Sequence, residues 1–319
     1  MTTATPEVPQ STIEIFGEPG HRHTGARVAA LLACLLLLLA TTSCSASAPG
    51  TPVIVIGTKE FTEQWVIGEL WAQALREKGL QVEIKNNVGS TTIIDRALSS
   101  GSINLYPEYT GVILQVLAKR DQLPSTAAAT YDEAKQFEET RGLTLMAPTP
   151  FQNTYAVAVK TQYAKANNLK TISDLARLGP ISYAEYPDNM NASSGYAGLL
   201  QTYGLHNMKA ISLTLGLQYD ALDADQVQAA DVFTTDPQLA RSNLTLLEDT
   251  KNIFGYQNVA PVIAPATLRT LPPEFTYTLN RIDALLTVEA IRAMNRAVSV
   301  NRLPPDEVAR RFLAVNKLL

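Results

Sequence analysis

Between residues 53 and 109 short apolar runs alternate with amphipathic segments, and little chain is left over for connections. That alternation is the tightest constraint on the fold. VIVIG (53–57) has strand character, and TEQWVIGELWAQALREKG follows with Ile67, Leu70, Trp71 and Ala74 at i, i+3, i+4 and i+7, the spacing of one helix face. Thr62 is placed to cap that helix and Gly79 to stop it. VEIKNNV (82–88) is a second strand, Ser90 and Thr91 cap a short helix through Leu98 that stops near Gly101, and INLYPEY (103–109) is a third strand. Strand, helix, strand, helix, strand with short links predicts a parallel sheet with helices packed on it. Helical runs follow over 111–119 and 131–140, a strand over 154–159 (TYAVAV), a βα-type region over 181–247, and three helices over 275–286, 288–300 and 305–318.

Composition narrows the chemistry. The chain of 319 residues has three histidines and two cysteines, so a Ser-His triad or a multi-histidine metal site has almost no raw material. His206 alone lies in the body of the chain, and its neighbours Leu205 and Asn207 give it the look of a surface loop residue. None of the nucleophile-elbow, P-loop, zinc-protease or Cys-x-x-Cys patterns occurs, and no cofactor or metal is expected. A formal net charge of −4 offers no basic face for nucleic acid.

Residues 28–40 form an uninterrupted apolar run of 13 after Arg22 and Arg27, too short for a helix across a bilayer and the length of a secretory signal core. TTSC, ending at Cys44, resembles a bacterial lipobox, with Thr41 where leucine is commonest. LLAC, ending at Cys34, matches better letter by letter but leaves only six apolar residues after Arg27. The expectation is a signal peptide over 1–43, lipid attachment at Cys44 and a small polar tether over 44–52. The mature chain is then 276 residues of net charge −3, with Cys44 its only cysteine and no disulfide.

Two features suggest a binding site. All 12 tyrosines lie beyond residue 105, and several sit where a strand is predicted to end: Tyr106 and Tyr109, then Tyr155. In open α/β sheets ligands bind outside the carboxyl ends of strands. At the first strand–helix junction, IGTKEFTEQ, Lys59 leaves the strand and Gln64 falls in the first helical turn, where free N–H groups and the helix dipole favour a carboxylate. A solvated lysine, a capping glutamine and ordinary half-buried tyrosines account for each residue taken singly. Together they suggest a zwitterion site, cationic head among rings and anionic tail at Lys59 and Gln64.

IGTKEFTEQWVIGEL, NNVGSTTIIDRALSSGSINLYPEYTG, FQNTYAVAV, TISDLARL and LEDTKNIFGYQNVAPVI, in that order, resemble the substrate-binding proteins of osmoprotectant ABC importers, which bind glycine betaine, choline, carnitine and related compounds. The resemblance implies an α/β fold of the periplasmic-binding-protein type II class, a two-lobe Venus flytrap. Lobe I would comprise 53–153 plus 262–319, and lobe II 154–261. Crossing strands are expected near 154–159 and 259–263, with the C-terminal helices packed back on lobe I. By the same resemblance Lys59 and Gln64 hold a carboxylate end, Tyr109 and Tyr155 are cage rings with Asn153 beside the second, and Tyr219 and Phe233 contribute rings from lobe II. The partners implied are a quaternary-ammonium solute, the permease subunits and, through the lipid, the outer face of the cytoplasmic membrane, with the protein itself a monomer.

The chain also departs from the family pattern. Val112 stands where a carboxylate-binding threonine is usual, Phe233 replaces a tyrosine, Pro237 replaces a glycine, and EYPDNMN (185–191) lacks an expected arginine. Losing two carboxylate partners points toward choline, another trimethylammonium compound or a bulkier betaine. Three other readings remain at this stage: a receptor of the same fold for another solute class, such as an amino acid derivative or an aromatic compound; a carboxylate-dependent hydrolase using Asp95, Glu108 and Asp236; and a purely structural surface protein.

Overall fold

A computed structural model describes residues 53–319 apart from Asp121, Leu215 and Ser242, so the leader, Cys44 and most of the tether lie outside the described residues. Strands β1 (Ile54–Gly57), β2 (Val82–Lys85), β3 (Leu105–Tyr109) and β4 (Thr144–Leu145) belong to a first sheet. Strands β5 (Tyr155–Lys160), β6 (Ile181–Glu185), β7 (Met208–Ser212), β8 (Ala229–Phe233) and β9 (Leu244–Leu247) make a second, and β10 (Val259–Ile263) returns to the first. The orders are β2-β1-β3-β10-β4 and β7-β6-β8-β5-β9. In each sheet three strands run parallel, and a strand that has come from the other lobe is inserted antiparallel beside them. This mixed α/β arrangement of two sheets is the two-lobe fold that the resemblance implied.

The crossings lie just before the strands named from sequence. β5 pairs along its length with β8 and β9 inside the second sheet, and β10 pairs with β3 from Val259 to Ile263 inside the first. The link itself is the bridge of Gln152 to Asn258, closed by the Asn153 amide donating to the Gln257 carbonyl at 3.1 Å. The first lobe therefore resumes ahead of residue 262.

Helix α1 (Thr62–Glu77) buries Val66, Ile67, Leu70, Trp71, Ala74 and Leu75 completely, the face its spacing marked. Each large aliphatic buried this way contributes about 1.5–3 kcal/mol. Phe61, extended at φ −146° and ψ 158°, occupies the N-cap position without a side-chain cap, so Thr62 lies one residue inside the helix instead of capping it. Gly79 ends it at φ +78°, a conformation costly for a residue with a Cβ. Helices α2 (Thr91–Ser99) and α3 (Ala127–Thr140) cover the other face of the first sheet; α4 (Tyr196–Tyr203) and α5 (Leu217–Asp223) serve the second. The helical run expected over 111–119 is one α-turn (Thr110–Val112) that widens into a π-helical segment (Ile113–Leu117), a form common beside functional sites.

The C-terminal helices α6 (Pro273–Asp283), α7 (Val288–Ser299) and α8 (Pro305–Val315) pack on α1, with Phe275, Ile291, Met294 and Phe312 filling the space between. One polar pair lies in this core: Trp71 Nε1 donates to Asp283 Oδ1 at 2.8 Å, while Asp283 Oδ2 is buried without a partner. Burial pushes the Asp283 carboxyl from its ordinary 3.8 up to about 8. The folded state thus keeps a proton that the unfolded chain releases. Stability is fullest below about pH 4 and declines as pH rises toward about 8, by up to about 1.4 kcal/mol per pH unit from this group. Asp283→Asn keeps an acceptor for Trp71 and has no proton to lose. Urea unfolding at pH 5, 6.5 and 8 is expected to show a steeper decline for the unaltered protein than for the variant; parallel declines would refute the assignment.

Candidate binding site

The lobes enclose a cavity of about 920 Å³ at the carboxyl ends of their parallel strands. On the first-lobe wall Lys59 leaves β1 as predicted, but its charge is already matched. Its Nζ donates to Glu108 Oε1 at 2.5 Å and to Thr91 Oγ1 at 2.8 Å, and lies 5.2 Å from the Tyr109 ring centroid. Glu108, on β3, is completely buried and also accepts the Tyr109 amide at 2.8 Å. Gln64 is not part of the cavity wall. Its amide oxygen accepts the Lys59 N–H at 3.3 Å and its amide nitrogen donates to the Pro107 carbonyl at 3.1 Å, so it ties the β1–α1 loop to β3.

Glu63, one residue before Gln64, does line the cavity. Tyr109 Oη donates to its Oε1 at 2.6 Å, Asn153 Nδ2 donates to the same oxygen at 3.2 Å, and Asn295 Nδ2 on α7 donates to Oε2 at 3.4 Å. The Thr235 hydroxyl of the second lobe adds a fourth donor. Burial pushes the Glu63 carboxyl above its ordinary 4.5, and these donors oppose the shift. Its hydrogen-bond partners are all neutral. Phe61 stacks on Tyr109 with centroids 6.3 Å apart and planes 22° apart, adding a fifth ring to those predicted.

The second-lobe wall contains Tyr155, Tyr219 and Phe233. Tyr155 on β5 faces Phe233 on β8 across the sheet, with centroids 4.6 Å apart and planes tilted by 35°. Tyr219 on α5 donates to Asp236 Oδ2 at 2.6 Å, and the same oxygen accepts the Phe233 amide at 3.0 Å. Behind these rings Glu185 and Asp231 sit side by side on β6 and β8, both buried, with Asn189 Nδ2 3.5 Å from Asp231. Burial and the neighbouring Glu185 push the Asp231 carboxyl well above the carboxylate range. Burial first, then the charges of Asp231 and Glu185, push the Tyr155 hydroxyl to about 12.

Of the seven residues named from sequence, six line the cavity and Gln64 supports it from behind. Tyr106, also singled out, faces the opposite side of β3, among Ile94, Ile113 and Leu145, because three residues along a strand reverse the face. Asp95 is ion-paired with Arg141 at 2.6 Å and is not part of the cavity wall, whereas Asp236 is, and His206 is exposed. Glu63, Phe61 and Asn295 were missed. An acid in the first turn of a helix reads as a complement to the dipole, and Asn295 reaches the cavity only through tertiary packing of α7.

A family model described as the substrate-binding domain of an ABC-type glycine betaine transport system matches residues 52–315. The chain belongs to this family. A glycine-betaine-binding protein of Pseudomonas aeruginosa is 34% identical over 276 residues, covering 83% of this chain and 88% of that one. A carnitine transport binding protein of Listeria monocytogenes is 28% identical over 296 residues, covering 90% and 96%. A crystal structure described as a glycine betaine/carnitine/choline ABC transporter superposes with a TM-score of 0.77 at 25% identity, covering 83% of this chain and 99% of that one. Members of the family are the extracytoplasmic solute-binding parts of ABC importers. Among the described residues no helix is long and apolar enough to cross a membrane.

Proposed function

We propose that the cleft captures a quaternary-ammonium compatible solute (choline, glycine betaine or a relative) in an aromatic cage and presents it, lobes closed, to the permease of an ABC importer. The observation that carries this is the Tyr155–Phe233 ring pair at 4.6 Å, with Tyr219 and Tyr109 on the same cavity and buried carboxylates close behind. A methylated ammonium has no N–H to satisfy, so ring faces suit it better than point acceptors. Each ring contributes roughly 0.5–2 kcal/mol, and four give enough for about micromolar binding once ordering costs are subtracted. The Tyr109 ring already has the Lys59 ammonium beside it, so the second-lobe rings take the larger share.

The protein acts as a monomeric receptor without turnover: Asp95 and Glu108 are spent on Arg141 and Lys59, and Asp236 holds Tyr219 and the Phe233 amide. Lipid attachment at Cys44 would keep it at the outer face of the cytoplasmic membrane. Calorimetric titration of the purified domain with choline, glycine betaine and carnitine is expected to show binding near the micromolar range for at least one. Silence toward all three, with binding of an amino acid or an uncharged aromatic solute, would refute the reading.

A further inference from the structure

We propose that the cleft selects a cation through Glu185 and Asp231, adjacent buried carboxyl groups behind the Tyr155–Phe233 rings, whose charge has no counter-ion until the solute arrives. This rests on the cage reading above and names the group that answers the solute's charge. Strand register places the pair. Phe233 and Asp231 are two residues apart on β8 and so share a face, and their partners on β5 are Tyr155 and Val157. Glu185 follows the Ala184–Ala230 pair of β6 and β8, which sets it beside Asp231. The carboxyls therefore lie one row behind the rings, roughly 6–7 Å along the strands. Asn189 joins the two rows: it lines the cavity, hydrogen-bonds the Tyr155 hydroxyl and holds its Nδ2 3.5 Å from Asp231 Oδ2.

Glu185 is 1% exposed and Asp231 4%. Two carboxyls this close in a dry interior do not both ionise, so one keeps a proton. The charge settles on Glu185: its Oε1 accepts the Tyr186 amide at 3.1 Å, and the Tyr196 amide, in the first turn of α4, also donates to it. No N–H or hydroxyl donor reaches Glu185 Oε2, the oxygen left for the proton of Asp231. Among the described residues neither group is ion-paired. Lys59 is committed to Glu108, and Arg292 to the Thr234 carbonyl and Asp236. A buried charge without a counter-ion is costly, and a methylated ammonium against the rings supplies one without displacing any donor. A cation there favours the ionised form of the pair, so binding draws protons off and affinity rises with pH. The other titratable groups around the pair are Tyr155, Tyr183, Tyr186, Tyr196, Tyr219 and Asp236, with Glu63 across the cavity. Glu63 and Asp236 are carboxyls too, so the assignment needs a variant as well as a pH slope.

The test titrates choline and its neutral isostere, with tert-butyl in place of trimethylammonium, calorimetrically at pH 5, 6.5 and 8. The isostere keeps the shape and the hydroxyl and lacks the charge. In the unaltered protein the choline-to-isostere affinity ratio is expected to rise about 10-fold from pH 5 to pH 8. The double variant Glu185→Gln with Asp231→Asn keeps both volumes and removes both acids. Its ratio at pH 8 is expected to fall about 10-fold and to lose the slope. A merely structural role would weaken both ligands alike and leave the ratio unmoved. A pH-independent ratio in the unaltered protein, or an unchanged ratio in the variant, would overturn the inference and leave the cage standing. A slope that persists in the variant belongs to Glu63 or Asp236 and overturns it equally. If neither ligand bound at any pH, the cage reading would fail and this inference with it. Should the double variant not fold, Glu185→Gln alone, which leaves Asp231 its proton, is judged by the same ratio.

Discussion

Replacing Tyr155 and Phe233 together by alanine is expected to weaken binding of choline or any other trimethylammonium solute by about 100-fold. Two rings at roughly 0.5–2 kcal/mol each, desolvated in a closed cleft, supply that factor. The pair is the right target because its rings are adjacent at 4.6 Å, come from neighbouring positions of β5 and β8, and line the cavity. Tyr109 is a poorer probe of the cage, since its hydroxyl orders Glu63 and its ring neighbours Lys59. The double leucine variant separates two explanations: it restores apolar area but no π-face. If binding depends on the ring quadrupole, leucine behaves like alanine; if burial alone matters, leucine recovers most of the affinity. Retention of full affinity in the alanine variant, with its fold verified by circular dichroism, would remove the basis for the cage.

The parts of the fold written in local spacing were readable. The α1 stripe, the Gly79 stop and the strands at 54–57 and 105–109 each depend on residues close in sequence, where periodicity and turn chemistry act directly. What sequence could not supply was pairing at long range. Lys59 is visible at the end of β1, but that its charge is answered by Glu108, 49 residues on, follows from β1 lying beside β3. Likewise Glu63 meets Asn295 across 232 residues because α7 packs against α1. The crossing strands show the same limit. Their apolar runs were found, yet β5 and β10 each insert antiparallel into the sheet they enter, and the two crossing segments bridge each other at the polar residues just before them.

The largest effect on stability is expected at the Lys59–Glu108 pair. Glu108 is completely buried, Lys59 is 6% exposed, and the second Glu108 oxygen has no partner. Removing one member of such a pair leaves a charge in a poorly solvated interior and costs about 3–5 kcal/mol, while replacing both by apolar side chains of similar volume is often near neutral. Lys59→Met is therefore expected to lower the unfolding free energy by about 3–5 kcal/mol in urea titrations. The double variant Lys59→Met with Glu108→Leu is expected to recover most of that loss. The comparison also decides what Lys59 is for. If its ammonium chiefly held a solute carboxylate, the single variant would keep its stability and lose affinity for glycine betaine alone. If it chiefly answers Glu108, stability falls first, and the double variant binds choline with affinity close to that of the unaltered protein, because no part of choline needs a cation on that wall.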